Sequence, residues 1–386
     1  MDRQVLILLL CSFFTSVSFG LVWPYVTVNM YKLGGDFFKI VFLEAFPAFS
    51  YIFSRIWGAI SDYYGERKRL MAIGFFLSAI PLFFAGFANT TEILLLSIFL
   101  SEFLSSIGLP AFYTALGVRG GRGVYGYLPM ASSLGFTLGA VLLGPIYTYA
   151  GQFGVYATAA SFTLIAALVI LALYKEEASK RIETPFLEHI KQSLRFKIRA
   201  KRGFKYFLVA SFLVWIAVYW NDGLLKVKLY ELLGRSVEGY SLVIGFGAGL
   251  LSIPASILAS RMADKYGGAP VFTLGLLCYS LLIPSLALVH DPSLFTALYI
   301  LPVWPLFWAG QYSLVHELSE EEFEGENMGT LMTVTSVSAF PALIGGLVAD
   351  VSGLEHAIFS TTFFYLSSLG LMALVFKRKA FRKLIP

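Results

Sequence analysis

Twelve times this chain runs for about twenty residues with almost no charge, and a run of that length and character fits a lipid-spanning helix. Six such runs lie at roughly 5–31, 38–61, 70–88, 92–116, 124–150 and 154–174, and six more at roughly 206–228, 239–262, 270–288, 294–316, 327–350 and 356–376. The breaks between them are turn chemistry, among them KLGGD, ANTT, YAGQFG, HDP and VSGLEH. Period-2 alternation is missing, which excludes a β-barrel. Across the chain 57% of residues are hydrophobic and 14% charged. Soluble domains carry roughly 45–50% and 25%, so this apolar surface must meet lipid. The two cysteines, Cys11 and Cys278, both fall in apolar runs and match neither a disulfide framework nor a metal site.

The N-terminal run passes small residues at Ser16-Val17-Ser18 that resemble a signal cleavage site. It continues through FGLVWPYVTVNM, so it reads as a first spanning helix. An even number of spans places both ends on one side. Lys and Arg gather at those ends and in the even-numbered loops: Arg67 to Arg69, Arg119 and Arg122, the 175–205 segment, Arg261 and Lys265. The positive-inside rule then puts both termini in the cytoplasm of a cell-membrane protein. Lys226 and Lys228 fall in an outer loop on this reading. The organisation is an N-terminal bundle at 1–174, a cytoplasmic linker at 175–205 and a C-terminal bundle at 206–386. Within the linker Thr184-Pro185 reads as a helix start. Ile190, Leu194 and Ile198 then share one face of a basic amphipathic helix suited to the inner leaflet, although a merely solvated linker fits equally.

One charged turn occurs twice. GAISDYYGERKR, Gly58 to Arg69, returns in shortened form as ASRMADKYGG, Ala259 to Gly268, a little over half a chain later. With six-plus-six spans and a long middle loop, this turn closely resembles that of the major facilitator superfamily of secondary transporters. Gly58, Asp62, Gly65, Arg67, Lys68 and Arg69 fit its signature, with Tyr63 departing where a basic residue is usual and Glu66 delaying the basic run. The second copy keeps Asp264, Lys265 and Gly267, and Ser260 replaces the first glycine. Two other family patterns are degraded. Span four reads EFLSSIG, with Glu102 where an arginine is usual, and span five keeps Gly135, Gly139 and Gly144-Pro145 without the following glycine pair.

The resemblance implies that these turns are cytoplasmic gates. Asp62 closes a helix at its C-terminal end, where the macrodipole disfavours an anion. It needs Arg69 or the free N–H end of span eleven near Asn327-Met328-Gly329, and Asp264 would answer to the start of span five near Gly123. The acidic loop ELSEEEFEGENMG runs into that span-eleven start.

Charges inside spans are expensive and default to function. They are Glu44 and Arg55 in span two, Glu102 in span four and Asp222 in span seven. Glu102, near mid-span, is the first candidate for proton coupling or cation recognition. Glu44 reads as an outer-gate residue and Arg55 as a snorkelling or pairing one. Asn221-Asp222-Gly223 could break span seven, as transporter sites often do. The resemblance further makes spans one, four, seven and ten the cavity walls, carrying Phe19, Trp23, Asn29, Tyr113, Trp215, Tyr219, Asn221, Trp308 and Gln311, with Trp220 and Trp304 as companions or interface residues.

An aromatic cavity with few polar groups suits amphipathic or drug-like solutes. The expected activity is proton-coupled efflux of such compounds by a monomer. A proton-coupled symporter or facilitator of sugars or other polar metabolites, and a non-transporting or lipid-handling protein of the same fold, stay open beside it. An enzyme is not expected: the four histidines sit in loops or at span ends, and no HExxH, GxSxG or Walker A pattern occurs. Neither a cofactor, a metal nor a nucleic-acid partner is expected.

Overall fold

The computed structural model describes residues 2–176, 185–193, 200–201, 203–320 and 324–382, without the side chains of 51, 55, 62, 117–127, 129, 189, 191–193, 324–326 and 376–382. Expectations for the side chains of Arg55, Asp62, Arg119, Arg122, Leu194, Ile198 and most of the acidic loop therefore lie outside the described residues.

The first half carries α1 (Arg3–Lys32), α2 (Phe37–Glu44), α3 (Phe46–Tyr64), α4 (Arg67–Ala85), α5 (Thr91–Ser105) and the long α6 (Leu109–Leu173). A short α7 (Phe186–Ser193) leads to α8 (Phe204–Leu232), α9 (Val237–Leu242), a π-helical stretch at Val243–Leu250, and α10 (Leu251–Tyr266). Then come α11 (Gly268–Leu288), α12 (Pro292–Tyr299), α13 (Trp304–Leu318), α14 (Glu324–Val337), α15 (Ala339–Ala342), α16 (Ile344–Ser352), α17 (Leu354–Ser360) and α18 (Thr362–Arg382). Among the described residues one isolated bridge, Ala200 to Ser319, is the sole β pairing. This is an all-α membrane protein.

By length and composition ten helices can cross a membrane, or eleven when α2 and the start of α3 are counted as one span bent by 41°. The shortfall from twelve has a local cause. Met130–Leu173 is one apolar stretch of 44 residues. Straight, it would reach ~66 Å, about twice the hydrocarbon thickness. Gly151 interrupts it with a φ of 61°, which a right-handed helix cannot carry. Beside that corner Gln152 donates from Nε2 to the carbonyls of Ala85 and Ala88, at 3.1 and 2.8 Å. The expected spans five and six therefore share one stretch with a corner.

Prolines explain three further breaks. Pro47 has no N–H to offer residue 43, and the helix bends at Ala45. Pro110 removes the bond to Ser106, and α5 ends in a turn at 106–108. Pro305 does the same to Leu301, between α12 and α13.

The chain forms two compact units. The first holds Met1–Gly35, Phe49–Arg195 and Leu233–Leu250. Val5, Leu8 and Cys11 of α1, Met71 and Phe75 of α4, and Phe112 and Ile170 of α6 pack its core. Here α1 and α6 meet backbone to backbone: a Cβ on Gly20, Gly135 or Gly139 would run into a carbonyl of the facing helix. The π-helical stretch belongs to this unit, with Gly245 and Gly249 lying close on Val141 and Thr137, and Tyr240 donating to the Pro24 carbonyl at 3.1 Å. Phe186 of α7 packs edge-on against Tyr63 at 5.1 Å, so the short helix lays an aromatic face on the C-terminal end of α3.

The second unit holds Asp36–Ala48, Phe196–Leu232 and Leu251–Pro386. The α2 segment of the chain's first half sits here. Asp350 of α16 accepts from the Phe37 and Phe38 amides at 2.8 and 3.1 Å, capping α2 from outside. Gly346 and Gly223 let α16 and α8 approach it closely. Crossing α11 and α13 touch through Gly268, Gly275 and Gly310.

Candidate transport site

A break at Asn221-Asp222-Gly223, one of the two readings the sequence allows there, does not occur. Instead α8 runs unbroken from Phe204 to Leu232, and Gly223 serves as a contact point: a Cβ there would stand 2.7 Å from Ile40 and 3.0 Å from Glu44. With 3.6 residues per turn, Trp215, Tyr219, Asp222 and Lys226 fall in one stripe along α8. Asn221, Lys228 and Trp220 lie off it.

At one end of that stripe is an aromatic wall. Trp215 meets Trp308 edge-on at 5.1 Å and Tyr219 at 5.3 Å, and Trp308 meets Tyr312 at 5.2 Å. Buried Gln311 accepts from the Trp215 indole, Nε1 to Oε1 at 3.4 Å. Indole can only donate, so it fixes the amide oxygen on its own side. The amide nitrogen of Gln311 is left buried without a hydrogen-bond partner among the described residues.

At the other end lies an ionic cluster that sequence reasoning misplaces. Lys226 and Lys228 read as outer-loop residues, and both are buried. The Lys226 ammonium donates to both oxygens of buried Glu44, at 2.9 and 3.1 Å, and to Asp222 at 2.9 Å. A lysine can be withdrawn from water when carboxylates surround it. Thus Glu44 and Asp222, two separate charges in the sequence, meet on one cation. Lys228 points the other way. It donates to the carbonyls of Leu286 and Ala287, at 3.0 and 2.6 Å, where the dipole of α11 favours a cation. Glu355 stands 3.8 Å from it. The overlooked signal is the four-residue spacing of Asp222 and Lys226, an ion-pair spacing on a helix.

Other named residues lie elsewhere. Buried Asn221 donates to Thr361 at 2.6 Å, tying α8 to the corner before α18. Trp220 packs on Gly345 and Phe364. In the first unit Phe19, half exposed, stacks on Trp23 at 5.2 Å. Asn29 is buried and donates to the Tyr156 hydroxyl at 3.2 Å. Tyr113 is exposed. Glu102 sits in the last turn of α5, just before the 106–108 break, and its carboxyl has no partner among the described residues.

At the two charged turns Gly65 and Gly267 take positive φ, 66° and 87°, the conformation the tight turns require. Arg69 pairs with Glu66 at 2.9 Å on the surface. The Arg67 and Lys68 amides, which open α4, donate to Glu176, the latter at 3.2 Å. Glu317 likewise accepts from the Gly268 amide at the start of α11. Both helices after the repeated turn therefore start on a carboxylate brought from later in the chain. Gly58 is half buried near Pro110, and Asp264 and Lys265 are exposed, the lysine lying over the Tyr266 ring at 5.0 Å. Among the described residues no cluster of three or more His, Cys, Asp or Glu is placed to hold a metal.

Long apolar helices, glycine-packed crossings and buried charge are those of a multi-pass membrane protein. The family model of the Major Facilitator Superfamily matches residues 8–224, more than half of the chain, and the protein belongs to that superfamily. No curated protein sequence matches it. Solved structures share its fold at low identity. A point variant of the nucleoside transporter NupG is 14% identical, with 97% of this chain and 100% of that one covered at a TM-score of 0.79. A bacterial homologue of the human lysosomal transporter Spinster, inward-facing and occupied, is 12% identical, with 98% of each covered at 0.79. A POT-family transporter in complex with 5-aminolevulinic acid is 14% identical, with 97% and 96% covered at 0.77.

Proposed function

We propose that this transporter moves a small aromatic or amphipathic solute out of the cell by alternating access, coupled to protons. The observation that carries the reading is the Gln311 amide, held by Trp215 so that a buried N–H faces no acceptor among the described residues. A buried donor left unmatched costs about 1–3 kcal/mol. A solute carrying a carbonyl or hydroxyl oxygen would satisfy it while its ring lies on Trp308 and Trp215. Glu102 is the proton-coupling group: a lone carboxyl inside a span tolerates its charge only while water reaches it, so proton exchange follows access.

Flux in proteoliposomes tests both roles, using a ring-bearing solute found by thermal shift. Trp308→Ala is expected to lower its exchange about tenfold or more, with the protein still folded. Glu102→Gln is expected to retain exchange at equal solute concentrations and to lose accumulation driven by a pH gradient. Wild-type exchange in the first variant removes the wall, and undiminished accumulation in the second removes Glu102.

The transporter acts as a monomer in the cytoplasmic membrane, with twelve spans, both termini inside and the repeated turns as inner latches. Exposed Leu187 of α7 tests the sidedness. A cysteine there should resist an impermeant thiol reagent in intact cells and react once the membrane is opened. Labelling of intact cells would reverse the topology.

A further inference from the structure

A glutamine side chain can present either end of its amide, and the two ends ask for opposite partners: the oxygen accepts and the nitrogen donates. At Gln311 the end turned away from Trp215 decides what a solute must bring. The Trp215 indole settles which end that is, because its N–H donates to the Gln311 oxygen at 3.4 Å. Turned over, the amide would set nitrogen against indole nitrogen. Two donors would then meet with no acceptor between them, on a residue only 1% exposed.

Both groups are held in place. Three rings surround the indole: Trp308 at 5.1 Å, Tyr219 at 5.3 Å and Phe307, edge-on, at 5.8 Å. Phe307 is itself buried and lies on Phe272 of α11 at 5.2 Å. Gly310, the residue before Gln311, sits so close to α11 that a Cβ on it would run into the Phe272 backbone. That contact fixes the height of α13 against α11. The amide nitrogen thus keeps one orientation, buried and unmatched among the described residues.

We propose that Trp215 is the specificity-determining residue of the transport site, and that the solute is an aromatic compound with a hydrogen-bond acceptor, not a donor, on the ring edge that meets Gln311. A ring edge that only donates is rejected, because its N–H and the amide N–H would both be buried unmatched. This inference rests on the reading of Trp215, Trp308 and Gln311 as a solute wall. It adds the direction of the hydrogen bond and the residue that sets it.

Three fused bicyclic compounds of similar size separate the possibilities: quinoline, whose ring nitrogen only accepts; indole, whose N–H only donates; and 1-methylindole, which does neither. Binding is measured by calorimetry on the full chain in nanodiscs, with empty nanodiscs as the blank. Wild type is expected to bind quinoline about tenfold tighter than 1-methylindole, one hydrogen bond's worth, and indole no tighter than 1-methylindole. Trp215→Phe keeps a ring beside Trp308 but brings no N–H, so the amide can turn over. Indole should then gain about fivefold on 1-methylindole, and the preference for quinoline over indole should fall below about threefold. Benzothienylalanine at position 215 exchanges the indole N–H for sulfur at nearly the same shape. It should act as Trp215→Phe does, which distinguishes the lost donor from a disturbed wall. Gln311→Met should bring quinoline down to 1-methylindole, and Trp308→Ala should weaken all three. Wild-type binding that is equal for the three or led by indole, and dependent on Trp308, overturns the inference and leaves the wall standing. An undiminished preference for quinoline over indole after the sulfur exchange also overturns it. Binding that ignores Trp308, or no binding of any of the three to the folded chain, overturns the wall and the inference together.

Discussion

Lys226→Met is expected to destabilise the protein by about 3–5 kcal/mol, the range for removing one partner of a buried ion pair. The ammonium lies between Glu44 and Asp222, and the Glu44 carboxyl is withdrawn from solvent with both oxygens on the lysine. Without the lysine a buried carboxylate keeps its desolvation penalty and loses its countercharge. Glu44→Gln combined with Lys226→Met should recover most of the loss, because an uncharged pair of similar size removes both charges at once. Denaturant unfolding in detergent of the two single variants and the double variant closes a thermodynamic cycle. A coupling above about 1.5 kcal/mol is expected. Asp222→Asn should change stability far less, since its side chain is 43% exposed and solvent screens such pairs to about 0–1 kcal/mol. A Lys226→Met penalty under about 1 kcal/mol would show that the cluster does not hold α2 to α8.

The same cluster shows where sequence reasoning runs out. Apolar runs mark where a span exists, since lipid demands them, but they mark its ends poorly. Charge is costly in lipid, so the apolar run closes span seven at the lysines. The helix nevertheless runs on to Leu232, with its ammonium groups satisfied by carboxylates and carbonyls. Glu44 and Asp222 are legible as charges inside apolar spans. Their meeting on one lysine is not, because it depends on α2 packing in the second unit rather than beside the rest of its own half. Helical period alone separates Asn221 from the stripe of Trp215, Tyr219 and Asp222. The contact of Trp215 with Gln311 joins residues 96 apart and has no local signal. At the repeated turn the positive-φ glycines are readable, while Arg69, one expected partner of Asp62, pairs with Glu66. The π-helical stretch VIGFGAGL reads as an ordinary apolar run; its glycines serve close approach to α6.

Close approach also decides the second large effect, at Gly139. In the sequence, Gly135 and Gly139 of α6 belong to the family's span-five pattern. The structure gives them a packing role, since each faces a backbone carbonyl of α1, at Phe13 and Val17, and Gly20 of α1 faces Phe136 in return. Lipid supplies no hydrophobic force between helices, so such crossings rest on close contact, and small residues permit it. A methyl group at Gly139 meets backbone, which cannot rotate aside. Gly139→Ala is therefore expected to cost about 1–3 kcal/mol, as overpacking does, and Gly139→Leu to yield no folded protein. Gly370 of α18 is the control: nothing stands within 4 Å of a Cβ placed there, and its φ is ordinary. Gly370→Ala should be neutral or stabilising by up to about 1 kcal/mol, because alanine leaves the unfolded chain less freedom to lose than glycine does. The midpoint of thermal unfolding in detergent, read with the monodisperse yield, compares the three. Equal behaviour of Gly139→Ala and Gly370→Ala would mean that α1 and α6 have slack at their crossing. The glycine pattern of span five would then need a reason other than packing.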